Sequence, residues 1–137
     1  MLRDHPVLPI LLSTDMERSR AFYHETLGLP IVREDGERIV FQCAGSTALV
    51  ISSSTIGTRD TQTQVVWRVP DIRAEVADLR ARGVRIEQYT APDPVTDAEG
   101  VADMASLNQW AAWFIDPSGN VLSVVQPKTP AAPPPQP

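Results

Sequence analysis

Cysteine and histidine are scarce in this chain, with one Cys and two His among 137 residues. A single cysteine excludes an intrachain disulfide framework, and three such residues cannot assemble a four-ligand His/Cys zinc cage. Positive charge is also in short supply. Twelve Lys and Arg stand against 17 Asp and Glu, for a net charge of −5, which argues against a nucleic-acid-binding surface. Long apolar runs are missing. The longest, Val7–Leu12 and Trp110–Ile115, have six residues each, whereas a bilayer-spanning helix takes about 20. Arg3 stands ahead of the first run, but Asp4 follows it and Pro6 and Pro9 interrupt, so this does not read as an export signal. The expectation is a soluble protein of a reducing compartment, most simply cytoplasmic, with neither nucleic acid nor membrane as partner.

Proline is present but concentrated. Six of the 13 fall in Pro127–Pro137, a stretch without apolar periodicity, which reads as a disordered proline-rich tail. Residues 1–126 remain for a single domain, enough for a real hydrophobic core.

Within that length one unit is written twice. Thr14–Leu27 reads as an amphipathic helix opened by the capping-box pattern Thr14-x-x-Glu17 and stopped at Gly28. Asp71–Arg82 reads as a second, with Asp71 as N-cap, Ile72, Val76 and Leu79 at helical spacing, and Gly83 as the stop. Each helix follows a strand-like run, Val7–Leu12 or Gln64–Val69, and precedes three more. These are Leu29–Arg33, Arg38–Cys43 and Thr47–Ile51 in the first half, and Val84–Gln88, Gln109–Ile115 and Val121–Gln126 in the second. Asp15-Met16 with Gly28-Leu29-x-Ile31 recurs 55 or 56 residues later as Asp71-Ile72 with Gly83-Val84-x-Ile86, the mark of an internal duplication. The expected modules are 7–52 and 64–126, joined by a flexible linker over 53–63, in which Ser52-Ser53-Ser54 and Gly57 supply the flexibility. A loop over 89–108 is peculiar to the second.

Two stretches carry a family resemblance. Asp15-Met16-Glu17-Arg18-Ser19-x-Ala21-Phe22-Tyr23, with Leu27-Gly28-Leu29, resembles the first-helix signature of the vicinal oxygen chelate superfamily. Phe114-Ile115-Asp116-Pro117-Ser118-Gly119-Asn120 resembles the turn before that family's last strand. The group includes glyoxalase I, extradiol dioxygenases, and fosfomycin- and bleomycin-resistance proteins. The resemblance implies an α+β fold of two tandem βαβββ modules, whose curled mixed sheets form a half-barrel cavity. In its metal-using members, ligands project from the first and last strands of each module. The corresponding positions here are Leu8, Gln64 and Ser123, and, to within one residue, Leu49. Two leucines, a glutamine and a serine offer no anionic or imidazole donor, so neither a metal nor another cofactor is expected.

Strand alternation then places Ile10 and Arg68 on the cavity side with Leu8, Leu49, Gln64 and Ser123. Arg68 either holds an anionic group in fork geometry or snorkels to solvent. Trp67 is expected in the core. Trp110 and Trp113 lie on opposite faces of their strand and alternation does not choose between them; Trp110 is carried as the candidate contact and Tyr89 as a rim residue. Asp93, Asp97, Glu99 and Asp103 make the long loop acidic, either as a lid that attracts a cationic ligand or as a solvated loop. His24 reads as a solvent-face residue and Cys43 as a small buried hydrophobe.

The best-fitting function is small-molecule binding: sequestration of a hydrophobic or aromatic compound, such as an antibiotic, without metal, in a homodimer. The alternative is a glyoxalase-like lyase, isomerase or dioxygenase with no metal or an atypical site, for instance Gln64 with Glu99 or Asp103. A third reading gives the proline tail a partner of its own.

Overall fold

Both helices start where an aspartate satisfies the free N–H groups of a first turn. Asp15 Oδ1 accepts from the Arg18 N–H at 3.1 Å, and Asp71 Oδ1 accepts from the Ala74 N–H at 3.1 Å. The first cap is therefore Asp15 and not Thr14, and the two modules share the same device. The computed structural model describes residues 1–90, 92 and 94–129. They divide into two compact units, one of 1–62 with 116–120, the other of 63–115 with the strand that begins at Val121.

The first unit contains β1 (Ile10–Ser13), α1 (Met16–Arg20), β2 (Ile31–Glu34), β3 (Arg38–Gln42) and β4 (Ala48–Ser53). Helix α1 continues as a wider π-helical turn over Ala21–Thr26, closed by the Leu27 N–H donating to the Phe22 carbonyl at 2.9 Å. The sheet order is β1-β4-β3-β2, with β1 parallel to β4 and the other pairs antiparallel. Leu11, Ile39, Phe41, Leu49 and Ile51 share one face and are buried with Tyr23 and Ser19 of the helix.

The second unit repeats this plan with β5 (Thr63–Arg68), α2 (Ile72–Ala81), β6 (Ala102–Met104), β7 (Gln109–Ile115) and β8 (Val121–Pro127), in the order β5-β8-β7-β6. Each unit is thus a βαβββ module with a mixed four-stranded sheet, and the class is α+β. On the helix side, Ile72, Val76 and Leu79 of α2 are buried, as are Leu122, Val124, Ala112 and Phe114 of the sheet. Trp67 stacks on Phe114 at 6.3 Å between ring centroids.

Three expectations are corrected. Val84–Gln88 forms no strand; Val84 and Ile86 are buried, but the edge position is taken by β6, from inside the stretch read as a loop. An alternating pattern reports a buried face, and the ladder partner is a separate matter. The linker is held in place: Ser52 and Ser53 belong to β4, and Ser54 Oγ accepts from the Ile56 and Gly57 N–H groups. The proline-rich stretch begins later than expected. Pro127 closes β8, the Lys128 N–H donates to the Asn108 carbonyl at 2.9 Å, and Asn108 Nδ2 donates to Thr129 Oγ1 at 3.1 Å. The rest of the tail, 130–137, lies outside the described residues, as do Ala91 and Asp93.

Candidate ligand-binding face

Each sheet buries one face under its helix and turns the other away from it. In the second unit the register sets Val66 opposite Ser123 and Ser123 opposite Trp113. One step along, Arg68 stands opposite Val125 and Val125 opposite Ala111. Paired residues share a face, so Val66, Arg68, Ser123 and Trp113 lie together on the helix-free side. Val66 is 51% exposed and Ile115, on the same side, 43%. Tyr89 stands edge-on to the Trp113 ring at 5.6 Å, and the indole N–H donates to Thr63 Oγ1 at 3.2 Å. These contacts fix the indole in one orientation. Burial first, and then the nearby Glu87 carboxylate, raise the Tyr89 phenol above its ordinary value, so it remains a neutral donor at physiological pH.

The choice between the tryptophans follows from the same ladder. Trp110 pairs with Gln126 and Asp103 on the helix side. It lines a cavity of about 280 Å³ with Ile72, Arg73, Val101 and Gln126, and Lys128 Nζ sits 4.3 Å from its ring centroid. Trp110 is therefore on the opposite face from Ser123 and Arg68, and the indole beside them is that of Trp113. Gln64 sits at an irregularity of β5, where Thr63 pairs with Val121 and Val65 with Leu122. The bulge gives Thr63 the helix-free slot that simple alternation assigned to Gln64.

In the first unit, Leu8 and Ile10 are exposed, but Leu49 is not on their side. Ile10 pairs with Val50, whereas Leu49 pairs with Phe41 in the buried core. The error is one residue, and its cause is the turn. Gln42 and Ala48 bracket five residues, as do Ile115 and Val121. Gly45 is third in its turn, while Gly119 is fourth. Aligning the two glycines shifts β4 by one residue, and Val50 is the true counterpart of Ser123.

Three of the loop's four acidic residues are paired among the described residues. Arg73 of α2 donates to Asp97 Oδ2 at 2.7 Å and to Glu99 Oε2 at 3.0 Å, and Lys128 donates to Asp103. Asp103 lies on edge strand β6 and Gln64 on the opposite edge, β5, about 14 Å away across three strand spacings. Gln64 and Asp103 cannot share an ion, and Glu99 is held on α2. Among the described residues no three His, Cys, Asp or Glu side chains gather into a group that could hold a metal, and no helix is long and apolar enough to cross a membrane. His24 Nδ1 lies 2.9 Å from the Leu29 carbonyl, so it is half-buried rather than solvated, and Cys43 is a half-buried free thiol.

Comparison with known proteins gives this arrangement its family. The profile of the glyoxalase/bleomycin resistance protein/dioxygenase superfamily matches residues 4–124. The chain belongs to this superfamily. No curated protein matches it, but solved structures do. A glyoxalase/bleomycin resistance protein/dioxygenase from Alicyclobacillus acidocaldarius superposes with TM-score 0.69 at 16% identity, over 92% of this chain and 93% of that one. The antibiotic-binding protein TnmS3 from Streptomyces sp. CB03234 has TM-score 0.63 at 25% identity, over 90% and 95%. A bleomycin resistance determinant encoded on transposon Tn5 has TM-score 0.63 at 20% identity, over 91% and 99%.

The metal used by some superfamily members does not fit this donor set. With the register corrected, the ligand positions hold Leu8 and Val50 in the first module, and Ser123 with Thr63 in place of Gln64 in the second. The two aliphatic side chains have no lone pair, and the buried Ser123 hydroxyl donates to the Ala112 carbonyl at 2.9 Å. Nothing there offsets the desolvation of a dication.

Proposed function

We propose that this superfamily member is a small-molecule-binding protein that sequesters a hydrophobic or aromatic compound, such as an antibiotic, without a metal. The observation that carries the reading is the Tyr89–Trp113 pair beside the exposed apolar side chains of Val66 and Ile115. A fixed indole flanked by aliphatic groups, with a few polar points, is the chemistry of a small-molecule site. The 25% identity to an antibiotic-binding protein over 90% of the chain supports it.

Titration with a panel of aromatic antibiotics, followed by tryptophan fluorescence, tests the reading. Saturable quenching by at least one compound class is expected, and no saturable change with any class sinks it. The proposal includes a homodimer in the cytoplasm. Leu8, Ile10 and Val66 are exposed apolar groups on edge strands or beside them, which a second copy would cover. Light scattering is expected to give twice the 15.0 kDa chain mass; the chain mass itself would remove the dimer.

A further inference from the structure

Among the described strand residues on the helix-free face of the second sheet, Arg68 is the one charged side chain. In the same unit Arg73, Arg82 and Lys128 each sit on a carboxylate. Arg68 has no carboxylate or hydrogen-bond partner for its side chain among the described residues, and it is exposed. In the first unit, by contrast, Arg33 and Arg38 lie in the field of Asp35, whose carboxyl they help to hold low. A lone guanidinium on an aromatic and aliphatic face, in a chain of net charge −5, is a polar point without an internal role.

Its position relative to the rings is set by the ladder. Arg68 and Trp113 are two strands apart and offset by two residues along the strand, a Cα separation of about 12 Å. The floor between them is made of small or aliphatic groups, Ser123, Val125 and Ala111. The Ser123 hydroxyl is already committed to Ala112, so Arg68 is the strong donor on this surface. Among the described residues, the acid that acts on Tyr89 is Glu87, which disfavours an anion at that end. The face is therefore polar in one sense: rings toward Trp113 and Tyr89, negative charge toward Arg68.

We infer that the ligand of this face is an aromatic anion, a planar ring system bearing a carboxylate or similar oxyanion, with the ring against Trp113 and the oxyanion in the fork of Arg68. This rests on the small-molecule-binding reading and narrows it. It differs from a cationic ligand drawn by an acidic lid, since Asp97, Glu99 and Asp103 are engaged by Arg73 and Lys128.

Three probes of one shape separate the possibilities by calorimetry: 2-naphthoate, 2-naphthamide and 2-naphthylmethylammonium. With the wild-type chain, naphthoate is expected to bind about tenfold tighter than the amide, as a charge-assisted hydrogen bond provides, and the ammonium compound weakest. In Arg68→Gln the naphthoate advantage disappears while amide binding stays, and Arg68→Lys, which keeps the charge but not the fork, recovers part of it. Amide binding equal to or tighter than naphthoate, or a preference that persists in Arg68→Gln, overturns the aromatic anion but leaves small-molecule binding standing. No saturable heat with any of the three overturns both.

Discussion

The phenol of Tyr23 donates a 2.7 Å hydrogen bond to Asp116 Oδ2, although the two residues are 93 positions apart in the chain. Both are buried. The carboxylate has no cationic partner among the described residues and is held by neutral donors. Oδ1 accepts from the Ser118 and Asn120 N–H groups at 2.9 and 2.8 Å, and Oδ2 accepts from Asn120 Nδ2 at 2.8 Å as well as from the phenol. Asn120 Nδ2 also donates to the Leu12 carbonyl at 2.9 Å, which ties the 116–120 turn to β1 within the first unit. Burial, with Asp116 alongside, pushes the Tyr23 phenol far above its ordinary value, so it stays a donor throughout the folded range.

Tyr23→Phe therefore removes one donor from a buried carboxylate while keeping the ring, which packs 5.6 Å from Phe41. The expected loss of stability is about 1–3 kcal/mol, the cost of an under-satisfied buried group. In urea unfolding the midpoint should fall with the slope unchanged. An unchanged midpoint would mean that the phenol contributes packing alone.

Gly100 is a second point of fixed geometry. Its φ is +88°, and a Cβ there would stand 2.5 Å from Ile86 Cγ2 and 3.3 Å from the Glu87 carbonyl. Both the backbone and the space demand glycine. Gly100→Ala should destabilise the second unit by about 1–3 kcal/mol through strain and overpacking. A thermal midpoint at or above the wild-type value would contradict the fit of Gly100 against Ile86.

The duplicated plan was legible because its signals are local. Asp15 and Asp71 cap, Gly28 and Gly83 stop, and the short apolar runs between turns become strands. What escaped depends on partners distant in sequence. Val84-x-Ile86 has the alternation of a strand, yet its ladder place goes to Ala102–Met104, whose own pattern is too short to register. Alternation puts Trp110 and Trp113 on opposite faces without choosing between them; the ladder that sets Trp113 opposite Ser123, with Phe114 stacked on Trp67, identifies the core side. Leu49 was misplaced because turn glycines at different positions in two equal turns look equivalent. Alternation puts Arg68 of β5 and Ser123 of β8 on one face because both strands are regular where they sit. The lone charge of Arg68 is visible only after Asp97, Glu99 and Asp103 have been seen with their partners.

Asp97 links the acidic loop to α2. Burial raises its carboxyl, but the Arg73 guanidinium and the Val101 and Glu99 N–H groups outweigh that and leave it below the ordinary value. A carboxylate whose pKa is lowered by folding stabilises the native state above its unfolded pKa, about 3.9. That contribution fades as pH falls through the folded value. Asp97→Asn keeps an acceptor for the backbone and removes the charge opposite Arg73. Both side chains are substantially exposed, 42% and 49%, so screening limits the loss near neutral pH to less than about 1 kcal/mol. The difference between variant and wild type should shrink progressively in unfolding measured at falling pH below the unfolded value. A difference that grows on acidification would reverse the assigned sign.

The two faces of the second sheet make opposite demands on their tryptophans, and substitution separates them. Trp67 is stacked on Phe114 under α2, so Trp67→Phe should lower stability by about 1–3 kcal/mol through lost volume and leave ligand affinity as it was. Trp113 stands on the helix-free side against Tyr89, pinned by Thr63. Trp113→Ala deletes the ring surface on which an aromatic ligand would rest, worth about 0.5–1.5 kcal/mol beyond the area it covers. It should weaken a bound aromatic compound roughly tenfold or more. Ligand quenching of fluorescence should survive Trp67→Phe and be lost with Trp113. Quenching that instead disappears with Trp67 would move the binding surface to the helix side, where Trp110 and its cavity lie, and would remove Arg68 from contact with the ligand.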